Sequence, residues 1–263
     1  MVLCFWGGTE HYRLSSAHRQ PPGREMAFML KNSKHIKTFH RLFPSYSSSN
    51  HFLAFLLSTL FVSILLLSPP TVAAHPRIFN YKEVPEHDMQ YLPQWLSVLE
   101  RHITEDVPDG NCTDSFFNRC YLNEWFAFLA GIKNEPRAQQ LSAVNRYANQ
   151  KKYVLDIDNY GVEDYWAIPK QFLAKGGDCE DYAITKFFSL RWLGYGPDKI
   201  RLLILQDTNL RVQHAVLLFL TKNDVLVLDN QSQEIVSQKQ IHHYVPLYSL
   251  NEKEWWLHVP PLK

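Results

Sequence analysis

The chain has 263 residues, and its formal net charge of +1 arises from 27 basic and 26 acidic residues. Seven of the basic residues but only two of the acidic ones precede His75, so the rest of the chain carries 20 basic and 24 acidic residues. This acidic balance excludes the strongly basic surface of a nucleic-acid-binding protein, and we expect no nucleic-acid partner. The 189 residues from His75 onward are enough for one domain with a proper hydrophobic core.

The first 74 residues have the pattern of an exported protein. Phe52 to Leu67 is an uncharged apolar run of sixteen residues, whereas a membrane span needs about 20. Basic residues precede this run, and a Ser-Pro-Pro break and small residues follow it, which is typical of a signal peptide cleaved before His75. An uncleaved anchor is the alternative. We therefore assign 1–25 to a non-structural extension or mis-assigned start, 26–74 to a signal peptide and 75–263 to one domain.

The first half of this domain has helical periodicity. Apolar residues at 92, 95, 96 and 99 share one side of a helix predicted from Tyr91 to His102. Two more helices are predicted, from Leu122 to Ala130 and from Ala138 to Asn149, and Pro136 suits the start of the second. The segment from Asp156 to Tyr165 is polar and predicts turns.

Two cysteines lie in this helical half. Cys112 and Cys120 flank a seven-residue loop and could pair in an oxidising compartment. The sequence leaves open whether they form a disulfide or stay reduced.

A glycine pair introduces the second half. Gly176-Gly177 precedes a helix that we expect to begin at Cys179 and to stop at Gly194. Short apolar runs follow, at 200–205, 215–220 and 225–228, with turn residues between them, and they predict antiparallel strands. Helices followed by strands predict an α+β fold.

The last two predicted strands form a hairpin whose register can be worked out. A loop of two or four residues places Leu220 opposite Val225 and Val216 opposite Asp229. His214 then lies diagonal to Asp229 on the same face, where backbones are about 7–8 Å apart and side chains can meet. A one-residue change in loop length would separate them.

These residues suggest a papain-like thiol enzyme. A cysteine at a helix start meets outward-pointing N–H groups and a positive dipole, which favour the nucleophilic thiolate. His214 could take the proton of Cys179, Asp229 could orient the imidazole, and the Cys179 N–H could stabilise a tetrahedral intermediate. Taken singly, each residue is more commonly structural, as an inert cysteine, a core histidine or a turn aspartate.

Three carboxylates next to Cys179 work against a thiolate, because neighbouring anions disfavour it. Asp178, Glu180 and Asp181 suit the start of a helix as capping and first-turn residues. Alternatively they bind a hard cation such as Ca²⁺, with further oxygens from the loop 156–164. Local chemistry alone favours capping.

The motifs around the cysteine resemble a known family. Asp164 to Pro169, Gly177 to Ile184, Lys186, His214 to Val216 and Leu228 to Asn230 are similar to the bacterial transglutaminase-like cysteine peptidases, and within them to the LapG family. The resemblance implies a papain-like α+β fold, a triad of Cys179, His214 and Asp229, and calcium bound by Asp178 and Glu180. It thus favours calcium over capping, although the two roles can coexist.

The resemblance also implies partners and a location. Members of the family are periplasmic proteases that cut the N-terminal region of a large cell-surface adhesin at a pair of alanines and so release biofilm cells. An inner-membrane receptor for cyclic di-GMP holds them inactive. Two rival functions remain: acyl transfer to an amine on the same fold, as in a transglutaminase, and a calcium-stabilised binding module whose cysteine is idle.

Overall fold

The computed structural model describes residues 75–114 and 116–261. The predicted extension 1–25 and the predicted signal peptide 26–74, with its apolar run, lie outside these residues. Within the described ranges, no helix is long and apolar enough to cross a membrane. The described residues form six α-helices and a seven-stranded antiparallel sheet, which is the predicted α+β class.

The helices begin where local signals place them. A proline occupies the first turn of α1 and of α5, where its missing N–H costs nothing. The Asn118 side chain accepts a bond from the Cys120 N–H at 2.9 Å and so caps α2. The helices are α1 (Pro93–Thr104), α2 (Arg119–Ile132), α3 (Arg137–Asn149), α4 (Asp156–Tyr160), α5 (Pro169–Lys175) and α6 (Cys179–Trp192). The three predicted early helices are confirmed, each end within three residues.

A disulfide secures the start of α2. Cys112 and Cys120 are bonded, with their Cα atoms 5.2 Å apart. The pairing that the sequence left open is therefore present.

Helix α6 is buried on nearly all sides. Eleven of its fourteen residues are buried, including Glu180, Asp181 and Lys186. A helix enclosed in this way is a central element of the core rather than an amphipathic surface helix. It packs against the strands β2 and β3 and against α3 and α5.

The glycine pair before α6 makes room for close contacts. Gly176 has a φ of +77°, and a Cβ there would lie 2.1 Å from the Lys152 carbonyl oxygen. A Cβ on Gly177 would lie 2.0 Å from Asp181 Oδ2. The Gly177 backbone also accepts a bond from the Val154 N–H at 3.0 Å. The turn thus ties the chain just before Asp156 to the start of α6.

The sheet supports the second half of the fold. Its strands are β1 (Lys82–Glu86), β2 (Ile200–Asp207), β3 (Val212–Leu220), β4 (Val225–Leu228), β5 (Val236–Ser237), β6 (Tyr244–Leu250) and β7 (Trp255–Val259). Their order across the sheet is β1-β7-β6-β2-β3-β4-β5. Leu220 pairs with Val225 and Leu217 with Leu228, so the predicted hairpin register is confirmed.

Both faces of the sheet are covered. The larger core cluster lies between the sheet and the helices and includes Phe187 of α6 and Leu217 of β3. A smaller cluster on the opposite face joins Val216 and Leu218 to Ile78 and Tyr244. Alternate residues of β3 therefore face different layers, as expected for a strand buried on both sides.

Candidate active site

Cys179 is the first residue of α6 and is buried. Its Sγ lies 3.3 Å from Oε2 of Glu180. Its place at the start of the helix is the predicted one, where the N–H groups of the first turn have no partner within the helix. Those N–H groups and the positive end of the dipole are available to an anion at this position.

His214 and Asp229 are brought together by the hairpin. His214 lies in β3 and Asp229 directly follows β4. The His214 Nε2 atom is 2.9 Å from Asp229 Oδ1, and both side chains are buried. The diagonal relationship expected from the hairpin therefore results in a direct hydrogen bond.

Asp229 is held as an ionised carboxylate. Burial would raise its pKa, but the charge of His214 and hydrogen bonds from His214, from the Gln231 N–H and from the Tyr244 hydroxyl lower it to about 2. An ionised carboxylate only accepts hydrogen bonds, so the His214 Nε2 atom carries a proton and donates it to Asp229. The other ring nitrogen, Nδ1, is left as the basic atom.

Helix α6 packs on the strand that carries His214. Cys179 is the first residue of this helix. Among the hydrogen bonds of the described residues there is none between Cys179 and His214. The structure thus joins two of the three predicted triad residues directly and places the third on the neighbouring helix.

The carboxylates around the start of α6 form a group with two residues of the segment 156–164. Ligand atoms of Asp156, Asp164 and Glu180 lie within 4.8 Å of one another, and so do those of Asp156, Asp178 and Asp181. These five residues are called the acidic cluster below. Asp156 is the first residue of α4 and Asp164 follows that helix, so both come from the segment 156–164 that the sequence named as a possible source of oxygens.

Burial strongly disfavours negative charge in the acidic cluster. Burial and neighbouring carboxylates raise the pKa of Asp156 to about 7. Burial raises the pKa of Asp178 to about 6. Burial and the charge of Asp178 also raise the pKa of Glu180 and of Asp181 well above the usual range. Without a compensating positive charge, these groups therefore take up protons more readily than ordinary carboxylates do.

Capping by Asp178, favoured by local chemistry, is wrong. Asp178 occupies the N-cap position, but its side chain accepts no hydrogen bond from the helix N–H groups. Instead, Asp178 Oδ1, Asp156 Oδ1 and Asp181 Oδ2 are buried without a hydrogen-bond donor among the described residues. Several hard oxygen atoms without donors in one place are the ligand set that Ca²⁺ takes.

Sequence reasoning missed two side chains at this site. The Tyr244 hydroxyl donates to Asp229 Oδ2 at 2.6 Å, although no motif marks this tyrosine. Lys186 is fully buried, and its Nζ has no hydrogen-bond partner among the described residues. Burial lowers the pKa of Lys186 to about 7, while the charge of Asp229 counteracts that shift. The sequence pattern included Lys186 but gave it no role.

Residues 123–261 match the family of bacterial transglutaminase-like cysteine proteinases (BTLCP). Because the match covers more than half of the chain, the chain belongs to this family. The fold and the family together define a cysteine protease with a transglutaminase-like core.

Solved structures of LapG from Legionella pneumophila are similar to this chain. One is 29% identical with a TM-score of 0.50, and the similarity covers 62% of this chain and 83% of that one. A calcium-bound LapG is 28% identical, with coverage of 63% and 86% and a TM-score of 0.50. An EGTA-treated LapG is also 28% identical, with coverage of 66% and 87% and a TM-score of 0.50. A comparison with curated protein sequences finds no match.

Proposed function

We propose that this cysteine protease is a calcium-dependent endopeptidase in which Cys179, His214 and Asp229 are the catalytic residues. The observation that carries the proposal is the buried His214–Asp229 hydrogen bond of 2.9 Å on the strand against which the Cys179 helix packs. The ionised Asp229 fixes the Nε2–H tautomer of His214, which leaves Nδ1 to accept a proton from the reduced side chain of Cys179.

The reaction then follows acyl-enzyme chemistry. The Cys179 thiolate attacks the scissile carbonyl carbon, and the C–N bond breaks as the His214 imidazolium gives its proton to the leaving amine. Water, deprotonated by the same imidazole, cleaves the thioester and restores the thiol. The Cys179 N–H at the start of α6 supports the oxyanion of each tetrahedral intermediate.

Calcium is proposed to bind the acidic cluster. Asp178 and Glu180, the ligands implied by the sequence motif, are joined there by Asp156, Asp164 and Asp181. A bound Ca²⁺ would supply the positive charge that lets these buried carboxylates ionise beside the nucleophile. The calcium-bound form of the similar Legionella LapG supports this assignment.

The substrate, the location and the regulator follow from the family resemblance. The proposed substrate is the N-terminal region of a large cell-surface adhesin, cut at a pair of alanines, so that the protease controls biofilm release. The proposed location is the periplasm, reached through the N-terminal signal peptide. The proposed regulator is an inner-membrane cyclic di-GMP receptor that sequesters the protease.

The catalytic assignment is tested on a peptide with a central Ala-Ala pair. Cys179→Ala abolishes cleavage, and His214→Ala lowers kcat by about 10³–10⁴-fold because the general base is lost. Asp229→Asn lowers kcat less, since an orienting group contributes less than the base. The matched control is Asp224→Asn, which alters the aspartate at the other end of β4 and retains activity.

Product mass and thiol labelling separate the rival functions. Hydrolysis adds one water to the products, whereas crosslinking to an amine releases ammonia. A thiol-reactive probe labels an activated Cys179 rapidly and an idle, buried one slowly. Full activity of Cys179→Ala, or of Asp229→Asn, contradicts the assignment of that residue.

The calcium ligands are tested by isothermal titration calorimetry with Ca²⁺. Asp156→Asn and Asp178→Asn weaken binding, whereas the control Asp158→Asn, an exposed residue of the same helix α4, binds calcium like the wild type. If the wild-type protein binds no calcium, the acidic cluster is not a calcium site.

A further inference from the structure

The phenol of Tyr244 completes the hydrogen bonding of Asp229. Its hydroxyl donates to Oδ2 at 2.6 Å. The other oxygen, Oδ1, is 2.9 Å from His214 Nε2 and accepts the Gln231 N–H at 3.0 Å. Both oxygens of the buried carboxylate therefore have donors, and the carboxylate plane is fixed from two sides.

Tyr244 reaches this position from a distant part of the sheet. It is the first residue of β6 and pairs with Asp207 at the end of β2. Its ring packs edge-on against the rings of Phe79, His214 and His243, with centroid distances of 6.1, 5.8 and 4.6 Å. The hydroxyl makes the hydrogen bond and the ring makes the aromatic contacts, so the two can be separated by substitution.

The phenol acts as a donor over the whole working range of pH. Burial, followed by the neighbouring charge of Asp229, raises the pKa of Tyr244 above its usual range. The carboxylate remains ionised because its pKa is lowered to about 2. A neutral donor facing an ionised acceptor forms a short, strong hydrogen bond, and the observed distance of 2.6 Å agrees with this.

We propose that Tyr244 is a positioning residue of the protease, whose hydroxyl holds the Asp229 carboxylate in the plane that orients His214. The proposal rests on the proposed function, in which His214 is the general base. Without the hydroxyl, Oδ2 loses its donor and the carboxylate can rotate about its Cβ–Cγ bond. The imidazole then samples orientations in which Nδ1 does not point to the nucleophile, and fewer enzyme molecules are ready to react.

The decisive variant is Tyr244→Phe, which removes one oxygen and keeps the ring. We expect kcat on the Ala-Ala peptide to fall about tenfold with KM unchanged, because a hydrogen bond to a charged group is lost away from the substrate. The matched control is Tyr121→Phe, which removes a hydroxyl that donates to the Asp114 carbonyl at the same 2.6 Å and leaves kcat unchanged.

A double-mutant cycle shows whether the effect passes through Asp229. In an Asp229→Ala background, Tyr244→Phe should change kcat less than twofold, since there is no carboxylate left to orient. An equal loss in both backgrounds, or full kcat in Tyr244→Phe alone, overturns the proposal. Full activity of Asp229→Ala by itself would instead contradict the proposed catalytic role of Asp229, so the two failures are distinguishable.

One measurement on the wild-type protein does not depend on the folding of any variant. A buried phenol proton bonded to a carboxylate exchanges slowly with solvent and gives a downfield proton NMR signal, which its contact with the His214 ring assigns. The presence of this signal supports the proposal. Its absence from the folded wild-type protein overturns it.

Discussion

Removing calcium should make the protein's stability depend on pH in an unusual direction. In the ion-free protein, the pKa of Asp156 is raised to about 7 and that of Asp178 to about 6, from an ordinary 3.8. The folded state then binds more protons than the unfolded state between about pH 4 and pH 7. Because stability falls with pH wherever the folded state binds the extra protons, the free energy of unfolding should decrease across this window. The shift of Asp156 alone corresponds to on the order of 4 kcal/mol.

Calcium should reverse this dependence. The ion binds ionised carboxylates, so at low pH it must displace protons, and its apparent affinity rises with pH. A calcium concentration 100-fold above the dissociation constant stabilises by about 2.7 kcal/mol. For a domain of this size that corresponds to an increase in Tm of roughly 5–11 °C.

The assay is thermal unfolding at pH 5 and pH 7.5, with EGTA or with excess calcium. We expect the Tm difference between the two conditions to be larger at pH 7.5, and magnesium to replace calcium poorly because it requires tighter octahedral geometry. Asp158→Asn serves as the control, since this exposed residue lies outside the acidic cluster. A Tm difference that is absent, or that shrinks as the pH rises, would refute the linkage between calcium and these carboxylates.

Three further predictions concern other parts of the chain. Replacing both Cys112 and Cys120 by serine should lower the free energy of unfolding by about 2–3 kcal/mol, because the bond joins residues eight positions apart; urea denaturation measures this. The wild-type protein should become more stable from about pH 7 to pH 10, because the pKa of Lys186 is lowered in the folded state and the unfolded state therefore binds one more proton in this range. The variant Lys186→Met should lack this rise in stability, and an equal rise in the variant would contradict the lowered pKa of Lys186. The protein recovered from a periplasmic extract should begin at or near His75, and N-terminal sequencing measures this. Recovery only from the membrane fraction, with the residues before Ser68 still attached, would indicate an uncleaved anchor.

Helix α6 and the β3–β4 hairpin were predictable because their signals are local. The glycine pair, the apolar run and the following Gly194 bound the helix, and the hairpin register needs only the length of one loop. The His214–Asp229 bond follows from that register. Each step depends on residues close together in the sequence, where patterns carry the most information.

The strands β1, β5, β6 and β7 were not predicted, and their sequences explain why. β1 contains Pro85 and is mainly polar, which a strand at the edge of the sheet tolerates. β6 contains Pro246, and its pairing with β2 is irregular near Leu205. Tyr244 was therefore missed, because its contact with Asp229 depends on strand pairings that the local pattern does not reveal.

The acidic cluster marks the limit of local reasoning about charge. Considered alone, three carboxylates at a helix start are favourable first-turn residues. The structure adds Asp156 and Asp164 to the group and buries Asp156 together with the three carboxylates at the helix start. Burial then makes negative charge on these side chains unfavourable. The family motif, rather than the capping rule, indicated the calcium-binding role that is proposed for them.

Helix α6 buries both acidic and basic side chains. Its first turn holds Glu180 and Asp181 with raised pKa values, and about one and a half turns later it holds Lys186 with a lowered one. A helix selected only for stability would bury apolar side chains at these positions, because an unpaired buried charge costs several kcal/mol. Both sets of groups lie near the proposed catalytic residues, with Glu180 of the acidic cluster next to Cys179 and Lys186 in the field of Asp229. Such local conflicts in an otherwise consistent core are expected where function sets the sequence, and they argue independently for an active site at this end of the helix.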